Sequence, residues 1–230
     1  MSAPSDIDRV TIDIWSDVMC PWCLIGWGAL SQALETLAGE IEAEVRWRPF
    51  ELNPDMPAEG EEQAAHIQRK YGRSPEQGAD IRSRMRDMAQ SAGVSLEYEG
   101  DDDRPAMMWN TFDAHKLLAW TLEAHGADRQ TALKLALFDA HFHHRRRIGD
   151  PRVLAEIAAT QGLDRDAAVM AMMSDDWGAR VRAEERQAWD ANITGVPAMV
   201  IDGKFLIPGA QPAESYADAL RRVVARRDAA

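Results

Sequence analysis

The sequence predicts an α/β chain in which a large α-helical insertion separates the second strand from the third. Three observations carry this. Two stretches of alternating hydrophobicity flank one amphipathic helix near the N-terminus. Two short apolar runs meet around Asp202-Gly203 near the other end, and about 140 residues with almost no strand pattern lie between them.

Val10, Ile12 and Ile14 alternate with Thr11, Asp13 and Trp15, the repeat of a strand. Cys23, Trp27, Leu30, Leu34 and Leu37 then step by four, three, four and three, which is one face of a helix, and Gly39 is placed to end it. Pro21 falls in the first turn, where its missing N–H costs nothing, so Cys20 stands at the helix N-terminus. Ile41, Ala43, Val45 and Trp47 alternate with Glu42, Glu44, Arg46 and Arg48 in a second strand. Strand, helix and strand make a βαβ unit, which is parallel and right-handed.

In the middle segment, Ser74-Pro75-Glu76-Gln77 has the form of a capping box with proline at the first helical position. Asp150-Pro151 opens another helix over Val153, Leu154 and Ile157, with Gly162 as its stop. Trp109 to Ala124 and Leu133 to Phe142 are apolar on more than one side, which predicts the central helices of a bundle. Asp101-Asp102-Asp103 predicts a solvated loop before them. Ala198 to Ile201 and Lys204 to Ile207 flank Asp202-Gly203, a two-residue hairpin link. Tyr216, Leu220, Val223 and Val224 recur at helical spacing before a polar tail. The order is that of a thioredoxin core, residues 1–53 plus 195–230, with residues 54–194 inserted as a helical domain.

Composition narrows the function classes. The 26 basic and 38 acidic residues leave a net charge of −12, spread along the chain, which repels phosphate backbones and anionic lipid headgroups. Neither nucleic acid nor membrane is expected as a partner. The longest uncharged run, Val18 to Leu34, is too short and too broken by Pro21, Gly26 and Gly28 to span a bilayer. The first ten residues show no basic stretch followed by an apolar one, so the expected location is the cytoplasm.

Cys20 and Cys23 are the two cysteines of the chain. Such a neighbouring pair cannot staple 230 residues, and a reducing compartment disfavours structural disulfides. A structural zinc site needs a second Cys or His pair at matching spacing, which the sequence does not supply, so no metal is expected. Redox chemistry is the stronger reading. Thiol–disulfide exchange requires an attacking thiolate, a resolving thiol and access for a partner sulfur. Cys20, beside the unpaired N–H groups and positive dipole end of a helix, is expected to be acidified and accessible. Cys23, one turn inside on the apolar face, is expected to be shielded. Pro21-Trp22 contains no His, so the acidification of Cys20 is expected to be weaker than where a His separates the cysteines.

Other residues have plainer alternatives. Asp13 and Asp17 flank the strand end near Cys20; either could handle the proton of Cys23, or stay solvated or capping. His141, His143 and His144, with Arg145-Arg146-Arg147, form a basic cluster that could hold a metal or an anion, with His141 and His144 on one helix face. A solvated helix C-terminus is the favoured reading there. Met85, Met88, Met107, Met108, Met170, Met172 and Met173 could line a substrate groove, although methionine more often fills gaps in a core.

Asp17-Val18-Met19-Cys20-Pro21-Trp22-Cys23-Leu24-Ile25-Gly26, Arg48-Pro49-Phe50-Glu51-Leu52-Asn53-Pro54, Ile148-Gly149-Asp150, Gly195-Val196-Pro197 and Pro208-Gly209-Ala210-Gln211-Pro212 together resemble the DsbA-like thioredoxin family, and within it the cytosolic FrnE-type branch. The resemblance covers nearly the whole chain. It implies a thioredoxin fold with inserted helices, no bound cofactor, and oxidoreductase or isomerase activity on protein disulfides, with oxidative-stress defence as a compatible role. It implies Cys20 as nucleophile, Cys23 as resolving thiol and Pro197 as a cis-proline. Val196 would pair its backbone with a substrate strand, and Pro21 and Trp22 would tune the dithiol, Trp22 also facing the substrate. Clients would be protein thiols and disulfides, with glutathione or a thioredoxin-type protein as reductant. Trp in place of the dipeptide His speaks against a strong oxidase, and a cytosolic glutathione poise favours reduction or isomerisation. The alternative is a glutathione-dependent isomerase of a small aromatic compound, similar to 2-hydroxychromene-2-carboxylate isomerase or the kappa-class glutathione transferases. Those relatives generally carry Ser where Cys20 stands and lack the second Cys, so the two thiols favour the first reading.

Overall fold

The computed structural model describes residues 7–72 and 75–227. The chain runs β1 (Asp8–Ser16), α1 (Pro21–Thr36), β2 (Ile41–Pro49), β3 (Glu61–Glu62), α2 (Gln63–Tyr71), α3 (Pro75–Ser91) and β4 (Met107–Met108). It continues α4 (Phe112–His125), α5 (Ala127–Phe142), α6 (Pro151–Thr160), α7 (Arg165–Met173), α8 (Asp175–Asp190), β5 (Ala198–Ile201), β6 (Phe205–Pro208) and α9 (Ala213–Arg227). This is a thioredoxin fold with a large helical insertion between β2 and β5.

The main sheet has the order β2-β1-β5-β6, with β1 parallel to β2 and antiparallel to β5. Val10, Ile12 and Ile14 point into the core from β1, while Thr11, Asp13 and Trp15 stay partly exposed. Burying each of those three aliphatic side chains is worth about 1.5–3 kcal/mol. The alternation therefore decides which face of the sheet receives α1 and α9. Leu30 and Leu37 from the first helical segment meet Tyr216, Leu220 and Val223 of α9 in one cluster with them.

A second cluster, built from Leu117, Leu133, Leu137, Leu154 and Ile157 of the inserted helices, also takes in Val18 and Met19. The turn between β1 and α1 is thus gripped by the insertion, and the Trp109 amide donates to Met19 Sδ at 3.0 Å. Gln130 of α5 closes the outer edge of β2, accepting from the Trp47 amide and donating to the Trp47 carbonyl, both at 2.8 Å. An edge strand whose backbone is paired in this way cannot recruit another chain there.

Several elements differ from the sequence reading. The hairpin link is three residues, because Ile201 pairs with Phe205 and β6 starts one residue later than its pattern suggests. Asp202 (φ 52°) and Gly203 (φ 66°) both take the left-handed conformation, and the Asp202 carboxylate accepts from the Thr11 amide at 3.0 Å. The first helix ends at Thr36, and Gly39 (φ 84°) turns the chain into β2 instead of capping the helix directly. β3 and β4 form a two-residue bridge, too short to show any period. Asp150 caps α6 by accepting from the Arg152 amide, and Gly162 (φ 75°) closes that helix. Ser74, which starts the capping-box reading, lies outside the described residues, as do residues 228–230 of the polar tail.

Candidate active site

Cys20 is the N-cap of α1, in extended conformation (φ −82°, ψ 112°). Its amide donates to the Asp17 carbonyl at 3.3 Å, and its own carbonyl accepts from Cys23 at 3.0 Å. Its side chain caps no helical N–H; Sγ instead donates to the Val196 carbonyl at 3.7 Å. The pairing of Trp15 with Ala198 brings the end of β1 beside the start of β5, which places Pro197 against α1. The Val196–Pro197 bond is cis. A Cβ on Gly26 would lie 3.0 Å from Pro197 Cγ, so the absent side chain lets the proline seat on the helix.

The Pro208–Pro212 segment holds that proline from the other side. The Gly209 amide donates to the Pro197 carbonyl at 2.8 Å. The buried Tyr216 hydroxyl donates to the Gly209 carbonyl at 3.2 Å and accepts from the Gln211 amide at 3.1 Å. Burial pushes the Tyr216 phenol up to about 12, so it keeps its proton and remains a donor.

The two cysteines are free thiols, and neither is exposed: Cys20 is 2% and Cys23 1% accessible. This corrects the expectation of an accessible Cys20. Half-buried Trp22 and Val196 pack against the apolar cluster that contains both thiols, a burial that helix position alone does not reveal. The expected acidification of Cys20 also fails in this resting geometry. Burial pushes the Cys20 thiol well up, and Cys23 and Asp17 add to the effect. Cys23, equally buried, is held below its ordinary value by hydrogen bonding from Cys20 and by the Lys134 ammonium. The physical cause is that burial and the neighbouring Cys23 outweigh the one helix N–H, that of Cys23, which acts on the Cys20 sulfur, while the buried Lys134 ammonium favours the charge on Cys23.

Asp17 is 0% exposed and accepts the Leu52 amide on Oδ2 at 2.8 Å, with His115 Nε2 3.6 Å from Oδ1. Burial opposes its charge, yet His115, the Leu52 amide and Lys134 together keep it below the usual carboxylate range. It is neither solvated nor a helix cap. Asp13 is tied to Arg48 at 2.7 Å, and Arg48 also reaches Glu184 at 3.3 Å, so it belongs to the seam with α8. Glu51, in the same Arg48–Pro54 segment, pairs with Arg182 of α8.

The basic cluster is dispersed. α5 ends at Phe142, so His144 does not share a helix face with His141. His141 is buried, not solvated, and burial pulls it down to about 4. His143 bonds Asp139 and the Ser95 carbonyl, while Arg146 pairs with Glu156. Among the described residues, no group of three or more His, Cys, Asp or Glu is placed to hold a metal ion. The methionines do not share a groove: Met85 and Met88 pack on the core, Met108 and Met172 are buried in the insertion, and Met170 and Met173 are exposed.

Sequence reasoning missed Lys134, His115 and Tyr216. A signal existed for the first. Gln130, Lys134 and His141 recur at four and seven residues along the face of α5 that also carries Leu137 and Phe138. Polar residues one and two turns apart on an apolar face break the amphipathic pattern and call for buried partners.

Residues 11–221 match the family model described as the DSBA-like thioredoxin domain. The chain is 26% identical over 212 residues to the uncharacterized protein YwbO of Bacillus subtilis, covering 92% of this chain and 96% of that one. It is 32% identical over 101 residues to the thiol:disulfide interchange protein DsbA of Azotobacter vinelandii, a match spanning 44% of this chain and 46% of that one. Among solved structures, a probable DsbA oxidoreductase from Streptomyces coelicolor superposes with a TM-score of 0.81 at 31% identity, covering 93% of this chain and 89% of the other. The 2-hydroxychromene-2-carboxylate isomerase fold is also similar, with a TM-score of 0.65 at 17% identity, covering 95% and 98% of the two chains.

Proposed function

The chain belongs to the DSBA-like thioredoxin domain family, and from that premise we propose that it reduces or isomerises protein disulfides through Cys20 and Cys23. The observation that carries the reading is the pair itself: two free thiols one helical turn apart, the first bonded to the Val196 carbonyl beside a cis-proline. The reduced pair holds one proton between two sulfurs when ionised, so its titration belongs to the pair and not to either residue. Moving that proton from Cys20 to Cys23 puts the thiolate on Cys20.

The Cys20 thiolate attacks one sulfur of a client disulfide, and the other client sulfur leaves as a thiolate and takes a proton. Cys23 then loses its proton and attacks the Cys20 sulfur, releasing the second client thiol. The client gains two electrons and two protons, and the chain is left with a Cys20–Cys23 disulfide. Glutathione or a thioredoxin-type protein of the cytoplasm restores the dithiol. In isomerisation the mixed disulfide is resolved by another thiol of the client instead. Because Cys20 is buried and bonded to the Val196 carbonyl, a client has to open that contact, after which the Val196 backbone pairs with an extended client segment.

The test is trapping. Cys23→Ser leaves the mixed disulfide unresolved, so it is expected to accumulate varied protein adducts that dissolve in reductant, whereas Cys20→Ser accumulates almost none. No adduct above the Cys20→Ser control in a cytosolic extract overturns the proposal. Retained turnover of a small aromatic substrate by Cys23→Ser, without adducts, selects the glutathione-dependent isomerase instead.

A further inference from the structure

We propose that Lys134, on the inserted helix α5, is the positioning cation of the dithiol: it holds the thiolate of the reduced pair and so sets how readily the pair gives up electrons. The assignment rests on the thiol–disulfide reading above and names a residue outside the Cys-Pro-Trp-Cys segment.

Lys134 is 0% exposed. Its ammonium lies 5.1 Å from the centroid of the Trp47 ring and 4.9 Å from that of Phe138, and it donates to the Ser16 carbonyl at a long 3.5 Å. Lys116, the other buried lysine among the described residues, pairs with Asp113 at 2.7 Å; Lys134 has no carboxylate at ion-pair distance. A buried charge without a partner is costly, so a fold retains one where an opposite charge forms. The groups acting on it are Cys23 and Cys20 at the start of α1 and Asp17 of the preceding turn. From β2 the Trp47 ring faces it, and His115 of α4 addresses Asp17. Asp17 Oδ2 accepts from the Leu52 amide and Oδ1 lies 3.6 Å from His115 Nε2, so its carboxylate acts on Lys134 without a direct bond, and the thiolate is the second counter-charge.

Burial draws the ammonium down to about 8, and Cys23, Asp17 and Cys20 pull it back. It is therefore charged at neutral pH, where it favours loss of a thiol proton. Pro21-Trp22 supplies no cation of its own, and the insertion provides it from another part of the chain.

The consequence is redox poise. Oxidation removes two electrons and two protons from Cys20 and Cys23, and one molecule of oxidised glutathione accepts them to become two of glutathione. The product disulfide is neutral, so Lys134 stabilises only the reduced side and makes the couple more oxidising.

The experiment uses the full chain with Lys134→Met, a side chain of similar length suited to the aromatic cage. Thiolate absorbance across pH is expected to show the first thiol ionisation raised by about a unit. Equilibration with glutathione is expected to shift about tenfold toward the disulfide, which is about 30 mV more reducing. Because an unpaired buried charge has been removed, the melting temperature is expected not to fall. A folded variant with unchanged ionisation overturns the assignment, and so does a variant that unfolds, which marks a structural lysine. Both readouts concern the chain's own thiols, so an absence of trapped clients refutes the proposed function and leaves this result standing.

Discussion

Tyr216→Phe isolates what one hydroxyl contributes to the site. The ring of Tyr216 is buried against α1, and phenylalanine fills the same space, so packing is kept. What is lost is a donor to the Gly209 carbonyl at 3.2 Å and an acceptor for the Gln211 amide at 3.1 Å. Both backbone groups lie in a half-buried segment, where water replaces part of each bond. Two net contributions of about 0.5–1.5 kcal/mol each give a loss of roughly 1–3 kcal/mol. For a domain of this size each kcal/mol moves the melting temperature by about 2–4 °C, so a fall of roughly 2–12 °C is expected. The segment also donates the Gly209 amide to the Pro197 carbonyl, so client reduction by the variant should slow more than its stability loss alone explains. Calorimetry paired with an insulin-type disulfide reduction assay reads both. A variant that melts within a degree of the parent and reduces clients at the same rate refutes the clamp.

Two further outcomes follow from buried groups. His141 is pulled down to about 4 from its ordinary 6.5 by burial, so the folded state prefers the neutral ring. Its contribution is present above pH 6.5 and is lost as the pH falls toward 4, about 3 kcal/mol in all. Urea unfolding of His141→Met at pH 7 and 4.5 should show that part of the acid sensitivity gone; an unchanged pH dependence contradicts it. Gly28→Ala places a Cβ 2.5 Å from the Ala92 carbonyl oxygen and 2.7 Å from Val94 Cγ1, where backbone must give way. A loss of about 1–3 kcal/mol in urea unfolding is expected, and a neutral effect would show that the segment after α3 yields freely.

The Cys-Pro-Trp-Cys helix start and the strands around it were legible because their signals are local. Period-two alternation over Val10–Ile14 and the heptad-like steps from Cys23 to Leu37 each depend on neighbours within a few turns. The state of the thiols was not legible, because it depends on partners far along the chain. Cys20 is buried and bonded to the Val196 carbonyl across 176 residues, and Cys23 is addressed by Lys134 from a helix that reads simply as apolar on several sides. The burial of Asp17 does not show in the sequence, where it reads as a proton-handling, solvated or capping acid at the strand end, because Leu52 and His115 come from two other segments. The β3–β4 bridge escaped because two residues carry no period.

β1 is a central strand whose two neighbours are made at opposite ends of synthesis. Its partner β2 leaves the ribosome almost at once, whereas β5, which seals the other edge, begins at Ala198. Until then the nascent chain carries an open strand edge beside two cysteines without Val196, Pro197 or α9 to cover them. An unpaired edge is a template for foreign strands, and an uncovered thiol reacts as any cysteine does. The chain is thus most vulnerable to premature cross-linking while it is being made. Oxidising translating cells should cross-link nascent copies through Cys20 and Cys23 to other thiols, whereas finished copies close the Cys20–Cys23 disulfide within one chain.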